Sequence, residues 1–476
     1  IYTLSLHDAL PIFQTTLNIE RFYQFYKRKR NLTVNAIKRS VHLYFAKLRS
    51  ELDSKDINKK KWWSLSKSIL GGKLHQSIPT LIHDGMTISS NTEKCETFNT
   101  YFAGQCKVLV DENQLPLPEF TYRTDARLTM FHLKVEDVRK ILSSLKTSAA
   151  SGPDGVGNMI LKSCAPGICH SLTKLFNFCL TRSSFPDSWK KSNLCPVYKK
   201  GNKQLKENYR PISLLCNVSK VFERLVYNIF YEYLISNNLL SSKNSGFKKN
   251  DSTINQLISI LHDIYNGIEM GNEARMVFLD ISKAFDRVWH AGLIFKLKQL
   301  GFENSVLKFI ESYLSNRLQR VTLGGQTSSW LPVEAGVPQG SILGPLLFLV
   351  YINDITDNIT CDIRLFADDT SVLEIVHDPV QSAENLNRNI ERIHLWGRLW
   401  RMSFNAIKSI SVIFSCKRNK PDHPNLLLGN TPIPEAHQHT HLGITLSDNL
   451  SWQQHISRIV NKASQRLALL RRLKYK

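Results

Sequence analysis

Phe278-Leu279-Asp280-Ile281-Ser282-Lys283-Ala284-Phe285-Asp286 and, further along, Phe366-Ala367-Asp368-Asp369 are the stretches whose reading decides the fold. In the second, Ile363 to Phe366 and Ser371 to Ile375 are β-prone arms, so the acidic pair falls where a tight hairpin must reverse. The turn then presents its carboxylates instead of burying them. In the first, Met276 to Leu279 form an apolar strand that ends on Asp280, and Ser282 is placed to cap a helix carrying Ala284, Phe285 and Val288. If the two strands are neighbours in one sheet, Asp280 and Asp368 can share divalent cations. Hard oxygen ligands of this kind suit Mg²⁺ bound together with substrate phosphates. An isolated Asp-Asp pair usually marks only a solvated turn, so the order and spacing of what surrounds it carry the reading.

Between the two clusters lies Gly336-Val337-Pro338-Gln339-Gly340-Ser341-Ile342-Leu343-Gly344-Pro345, followed by an apolar helix from Leu346 to Ile352. Glycines let the backbone approach a ligand closely, Pro345 fits the first turn of the helix, and Gln339 supplies an amide for a base or sugar. The plainer alternative is a glycine-rich loop before a core helix.

Further motifs stand in series around these three. Upstream come Ser151-Gly152-Pro153-Asp154-Gly155, Pro186-Asp187-Ser188-Trp189-Lys190, Pro196-Val197-Tyr198-Lys199-Lys200-Gly201, Asn208-Tyr209-Arg210-Pro211-Ile212-Ser213-Leu214 and Ser245-Gly246-Phe247. Downstream come Trp400 to Phe404 with Asn405-Ala406-Ile407-Lys408-Ser409, then His441-Leu442-Gly443-Ile444 with Trp452 and His455. In this order the motifs resemble the reverse transcriptase of non-LTR, LINE-like retrotransposons of the jockey-like kind, over roughly Leu133 to the C-terminus. A group II intron-type enzyme is a related reading, but no maturase-like extension follows.

The resemblance implies an α+β, right-hand polymerase fold with fingers, palm and a partial thumb, preceded by a basic, mainly helical extension. It places the upstream motifs, Ser245-Gly246-Phe247 included, in the fingers. It implies that Asp280 and Asp368 hold two Mg²⁺ ions, with Mn²⁺ as a possible substitute, and that Asp369 assists. Arg210 and one of Lys199 or Lys200 would grip a deoxynucleoside triphosphate, the guanidinium as a fork and the ammonium as a point charge. The lysines are otherwise a solvated hairpin tip. Ile281, Phe285, Gln339 and Gly340 would line the same pocket. Phe285 stands where the family places an aromatic wall that excludes a ribose 2′-hydroxyl, or else is an ordinary core residue. Gly246 and Phe247 are assigned to nucleic-acid contact. Lys408 is either a proton donor to pyrophosphate or a surface lysine.

Composition agrees with a nucleic-acid enzyme: 62 Lys plus Arg against 40 Asp plus Glu give a formal charge of +22. With 42% hydrophobic and 21% charged residues, most of the 476 residues can fold around sizeable cores. Nine scattered cysteines show no paired zinc spacing and read as reduced thiols. His437, His439 and His441 alternate along one strand face, where a metal is conceivable and surface histidines are the plainer reading. No segment is long enough to span a membrane, so the expectation is an intracellular protein, nuclear or cytoplasmic, in a ribonucleoprotein.

Four segments are expected. Residues 1–13 lack an initiating Met and resemble translated sequencing-adapter read-through, and are set aside. Residues 14–118 form a basic helical connector in which Lys59, Lys60, Lys61 and Trp62 either track nucleic-acid backbone and stack on bases or line an exposed helix face. Residues 128–446 form fingers and palm, beginning with a helix on Val135, Val138, Ile141, Leu142 and Leu145. Residues 447–476 begin a thumb whose helix carries an apolar stripe from Ile456 to Leu470. Both ends are expected to be truncated, with no endonuclease or RNase H region. The implied activity is RNA-directed DNA polymerisation from a primer 3′-hydroxyl, with RNA template, DNA primer or target and dNTPs as partners. The competing expectation is an inactive retroelement fragment that only binds RNA and DNA.

Overall fold

A computed structural model of the protein describes residues 19–52, 54, 57–69, 78–108 and 115–474. The adapter-like segment 1–13 lies outside the described residues. Contacts divide the chain into two compact units, residues 78–456 and a smaller one that combines the chain before 78 with that from 457 on.

In the smaller unit, the helix α1 (Ile19–Leu52) is a single 34-residue run. Its aromatic and aliphatic positions are mostly exposed, Phe25 at 60% and Tyr44 at 52%, whereas Leu48 is buried. The helix α2 (Lys59–Ile69) is capped by Asn58, whose Oδ1 accepts the Lys61 N–H at 2.8 Å. Lys61 is exposed and pairs with Glu51 at 3.2 Å, and Trp62 is half-buried with its ring edge-on to Trp63. The side chains of Lys59 and Lys60 lie outside the described residues.

The larger unit begins with a short hairpin, β1 (Leu81–His83) and β2 (Met86–Ile88), and a helix, α3 (Asn91–Gln105). The expected connector, 14–118, is therefore split, and its second part joins a core. Phe98 and Phe102 of α3, with Leu81, pack against Leu194, Tyr209 and Val321. Those last three lie on a five-stranded sheet built from β3 (Lys191–Tyr198), β4 (Tyr209–Leu214), β6 (Arg317–Leu323), β7 (Gln326–Thr327) and β8 (Leu331–Val333), in the order β4-β3-β6-β7 with β8 on β6. The helix expected around Val135 is observed as α4 (Val135–Ser144), and α5 (Ala165–Thr181) and α6 (Asn217–Ser236) follow as long amphipathic or buried helices.

The site stands on a second sheet. After α7 (Thr253–Glu269), β5 (Glu273–Asp280) is buried at every position except the last. Its two faces explain the apolar run: Met276 and Phe278 pack with Ile260 and Ile264 of α7, and Val277 and Leu279 join the large core on the other side. The chain then passes through α8 (His290–Gln299) and α9 (Asn304–Leu314) to the strands β6 (Arg317–Leu323), β7 (Gln326–Thr327) and β8 (Leu331–Val333). The apolar helix after the glycine loop is α10 (Gly344–Ile352), with Pro345 in its first turn as read from sequence. Next come β9 (Asp362–Phe366), β10 (Asp369–Val376), α11 (Pro379–Leu399) and β11 (Ile410–Phe414). These complete an antiparallel sheet in the order β11-β5-β10-β9.

Two local expectations are corrected. Ser282 does not cap a helix: its N–H donates to the Ser403 carbonyl at 2.9 Å, and Lys283 turns left-handed at φ 54°. A single 3₁₀ turn, Ala284–Arg287, follows, and the helix proper starts only at His290. The three histidines do not share one environment. His439 and His441 lie against the Phe278 ring at 4.2 and 5.0 Å, while exposed His437 pairs with Asp448 at 2.9 Å. His441 is only 4% exposed, because the strand pair 438–441 and 444–447 folds over the end of the sheet's apolar face. The terminal helix, Gln453–Lys474, carries the expected stripe, but Ile456, Ile459, Val460 and Leu467 are exposed.

Candidate active site

Asp280 ends β5 and Asp369 begins β10, and in the antiparallel register these two residues face each other directly. Asp368 stands beside them in the two-residue turn that joins β9 to β10. The three carboxylates are open to solvent, yet at Asp368 and Asp369 enough protein surrounds the turn to disfavour charge. Burial raises the Asp369 carboxyl to about 6, aided by repulsion from Asp368 and Asp280 and opposed by Lys199 and Arg210. Burial also raises Asp368, with Arg210 and Lys199 again pulling it down. Acidic edge and cationic hairpin therefore face one another.

The turn is fixed by parts that are distant in sequence. Ala367, its first residue, has φ 57°, a conformation costly for a side chain other than glycine's. Segment 243–246 runs parallel along the outer edge of β9: Leu365 N–H donates to the Lys243 carbonyl and Ser245 N–H to the Leu365 carbonyl, at 2.9 and 3.0 Å. Buried Asn244 accepts with Oδ1 from Gly246 N–H at 2.8 Å and from Ala367 N–H at 3.4 Å. A Cβ on Gly246 would collide with the Ala367 nitrogen, so only glycine allows this approach. Ser245-Gly246-Phe247, assigned above to the fingers and to nucleic-acid contact, thus lies on the acidic hairpin. Gly246 is buried and Phe247 is 47% exposed.

On the other side, segment 403–409 clasps Asp280. Asn405 N–H donates to the Asp280 carbonyl at 2.9 Å, and Asp280 N–H donates to Ser409 Oγ at 3.2 Å. Ile281 bridges to Phe404 and is buried, so its side chain faces the core and not a pocket. Lys408 is exposed on the same segment. Phe285 is half-buried, stacked on Phe348 at 4.4 Å and met edge-on by Phe247 at 6.0 Å. It is a member of the core's margin.

The glycine loop is tied to both sheets. Val337 N–H donates to the Phe285 carbonyl, and Ser213 N–H of β4 donates to the Gln339 carbonyl, each at 2.8 Å. Gly340, at φ 136°, passes so close to the Ser213 carbonyl that no side chain fits. Gln339 Nε2 donates one of its two hydrogens to Asp286 Oδ1 at 2.7 Å. Asp286 is 7% exposed and burial raises its carboxyl, with the Gln339 hydrogen bond opposing. Buried Glu223 anchors the loop's exit, its Oε2 accepting from Ile342 and Leu343 N–H at 2.7 and 3.2 Å. Arg210 shares β4 with Ser213, so the loop and the guanidinium are positioned together. Lys199 and Lys200 are exposed at the end of β3, and Lys199 is close enough to feel both Asp280 and Asp368. Sequence reasoning passed over Asn244, Asp286 and Glu223. Asn244 stands next to Ser245-Gly246-Phe247 and Asp286 ends the first acidic stretch, whereas Glu223 lies inside α6 with no motif beside it.

The model of the family described as "Reverse transcriptase (RNA-dependent DNA polymerase)" matches residues 197–446, from the end of β3 through the acidic hairpin and beyond β11. The chain belongs to this family. Among similar proteins are "Probable RNA-directed DNA polymerase from transposon BS" of Drosophila melanogaster, 28% identical over 86% of this chain and 46% of that protein. Another is "RNA-directed DNA polymerase from mobile element jockey" of the same organism, 30% identical over 70% of this chain and 37% of that protein. "Probable RNA-directed DNA polymerase from transposon X-element" of that organism is likewise 30% identical, with the same coverage. The resemblance to jockey-like, non-LTR elements is thereby shown, and the chain spans less than half the length of these relatives.

A reverse transcriptase depends on divalent metal, and the residues present fit one in chemistry. Asp280, Asp368 and Asp369 are hard oxygen donors whose mutual repulsion a cation would relieve. Among the described residues, no three His, Cys, Asp or Glu side chains are already gathered at ligand spacing. Nor is any described helix long and apolar enough to cross a membrane.

Proposed function

We propose that the protein is an RNA-directed DNA polymerase that extends a primer 3′-hydroxyl with deoxynucleoside triphosphates on an RNA template, within a ribonucleoprotein in nucleus or cytoplasm. The observation that carries this reading is the register of Asp280 against Asp369, with Asp368 in the adjoining turn, opposite Lys199 and Arg210. On this reading the four-stranded sheet is the palm and the five-stranded sheet belongs to the fingers. Asp280 and Asp368, assisted by Asp369, would hold two Mg²⁺ ions, which Mn²⁺ can replace. Such ions supply Lewis-acid activation of the primer hydroxyl and neutralise charge on the departing pyrophosphate.

The rest is done by the chain itself. Arg210 binds phosphate oxygens through its planar fork, and Lys199 contributes a point charge. Lys199 is the better assignment than Lys200, because its ammonium lies near enough to Asp280 and Asp368 to be attracted by both. Gly340 brings backbone close to the nucleotide, and Gln339 acts by holding Asp286 and, through its carbonyl, β4. Phe285, backed by Phe348, would lie beneath the sugar, where a 2′-hydroxyl would clash. Lys408 would deliver a proton to pyrophosphate.

Primer extension on an RNA template with dNTPs and Mg²⁺, comparing the protein with Asp368→Ala, tests the reading. Extension should fall by at least about a thousandfold in the variant, with RNA binding retained. Equal extension by both proteins sinks it. Binding without extension by either protein favours a fragment that only binds nucleic acid. In the same assay Phe285→Ala should narrow the preference for dNTPs over ribonucleotides, and unchanged sugar selectivity would remove Phe285 from the pocket.

A further inference from the structure

Tyr101 stands on α3, well outside the segment that matches the family model, yet its ring lies near two lysines that flank the candidate site in sequence. Lys283 Nζ is 5.5 Å from the ring centroid and 3.4 Å from the Tyr101 hydroxyl. Lys206, on the connection between β3 and β4, is 5.7 Å from the same centroid. One half-buried aromatic ring thus gathers a cation from the end of β5 and another from the cationic hairpin. Cations attracted to a ring face in this way lose reach but gain a defined place.

Lys283 is held by its backbone as well. It is left-handed, at φ 54° and ψ 44°, a strained state for a residue with a side chain. Its carbonyl accepts the N–H groups of both Asp286 and Arg287, at 3.0 and 3.1 Å, which locks the kink three residues past Asp280. Lys199 and Lys408 lie near enough to repel its ammonium, while burial disfavours the charge and Asp286 favours it. Among the described residues, no carboxylate comes within ion-pair distance of Lys199, Lys283 or Lys408. Three ammonium groups from three separate segments therefore lie near one another, none in an ion pair, although Asp286 attracts Lys283 and Asp280 and Asp368 attract Lys199. Left alone, that arrangement costs Coulomb energy, and a polyanion entering among them recovers it.

We propose that Lys283 is a further ligand for the polyphosphate tail of the incoming nucleotide, and that Tyr101 is the positioning residue that holds it there. The inference rests on the polymerase reading above and assigns residues 91–105 a part in nucleotide affinity. A purely structural role for the pair, with the lysine stem packing on the ring, predicts no effect on the nucleotide.

The test is steady-state primer extension, with KM and kcat for dTTP, beside calorimetric binding of inorganic tripolyphosphate to the same proteins without nucleic acid. Lys283→Asn removes the charge and keeps a residue that tolerates the left-handed turn. It should raise the KM for dTTP about tenfold and weaken tripolyphosphate by a similar factor, with kcat changed less than about threefold. Tyr101→Ala should raise KM about threefold, whereas Tyr101→Phe, which keeps the ring, and Lys283→Arg, which keeps the charge, should stay within about twofold. Unchanged RNA binding checks that each variant is folded. Extension with KM and tripolyphosphate affinity unaltered in Lys283→Asn overturns the inference and leaves the polymerase reading intact. Tripolyphosphate binding that needs Lys283 in a protein unable to extend primers overturns the polymerase reading and keeps the anion site. Neither activity nor Lys283-dependent binding overturns both.

Discussion

The acidic turn at 367–368 and the cationic turn at 199–208 face each other, and they are held in opposite ways. The acidic turn owes its place to remote segments: Asn244 and Gly246 on one flank, and 403–409 on the strand that supplies Asp280. The cationic turn is stitched mostly by its own atoms. Lys199 N–H donates to the Asn208 carbonyl at 2.8 Å, Asn208 Nδ2 to the Asn202 carbonyl at 2.9 Å, and Tyr198 Oη to the Gly201 carbonyl at 2.5 Å. The difference follows from what each must do. Carboxylates that share small cations need positions fixed to a fraction of an ångström, and a short side chain cannot supply the correction. Lysine and arginine reach a diffuse phosphate target on long stems, so their backbone is free to be local.

Four measurements press on that contrast. The largest effect is expected from Gly246→Ala, which drives a Cβ into the Ala367 backbone. Primer extension should fall by about a hundredfold and stability by about 2–3 kcal/mol. Full activity would mean that the acidic turn is not set from outside.

The second concerns titration behind β5, the strand that supplies Asp280, where His441 lies against Phe278. Burial, reinforced by His439, pushes the His441 imidazole down to about 4. Since an unfolded histidine titrates near 6.5, the unfolded chain takes up more protons than the folded one between those values. Stability contributed by the neutral ring is complete above pH 7 and declines as pH falls through 6.5, by about 2 kcal/mol at pH 5. Denaturant titrations at pH 7 and 5 should show this loss, and His441→Leu should remove that share of it.

Third, Arg210→Ala should raise the KM for dNTP about tenfold, with a stability change within about 0.5 kcal/mol. A large loss of stability would make the cationic turn as interdependent as the acidic one. Last and smallest, Lys199→Ala should raise KM by several-fold and Lys200→Ala by less than about twofold. The reverse order would exchange their roles.

Much of this was legible without coordinates, and the failures are instructive. Apolar runs and turn residues announced β5, the β9–β10 hairpin and α10, because each depends on neighbours a few positions away. The failures lie where a distant segment overrides a local preference. Ser282 has the chemistry of a helix cap, but its N–H is taken by Ser403 and Lys283 breaks the turn. Residues 78–105 read as part of a basic connector, because nothing local reveals that Phe98 and Phe102 have a sheet to cover. His441 reads as a surface residue until Phe278 is found beneath it.

By itself the sequence determined the strand, turn and helix segments that carry Asp280, Gln339, Asp368 and Asp369, and their order. It did so because strand, turn and helix propensities are short-range. Only the tertiary structure decided that Asp280 pairs with Asp369 while Asp368 occupies the turn, that Gly246 supports that turn, and that Tyr101 reaches Lys283. Register between strands some ninety residues apart is set by packing on two faces of a sheet, and a slip of one residue would reverse every side chain.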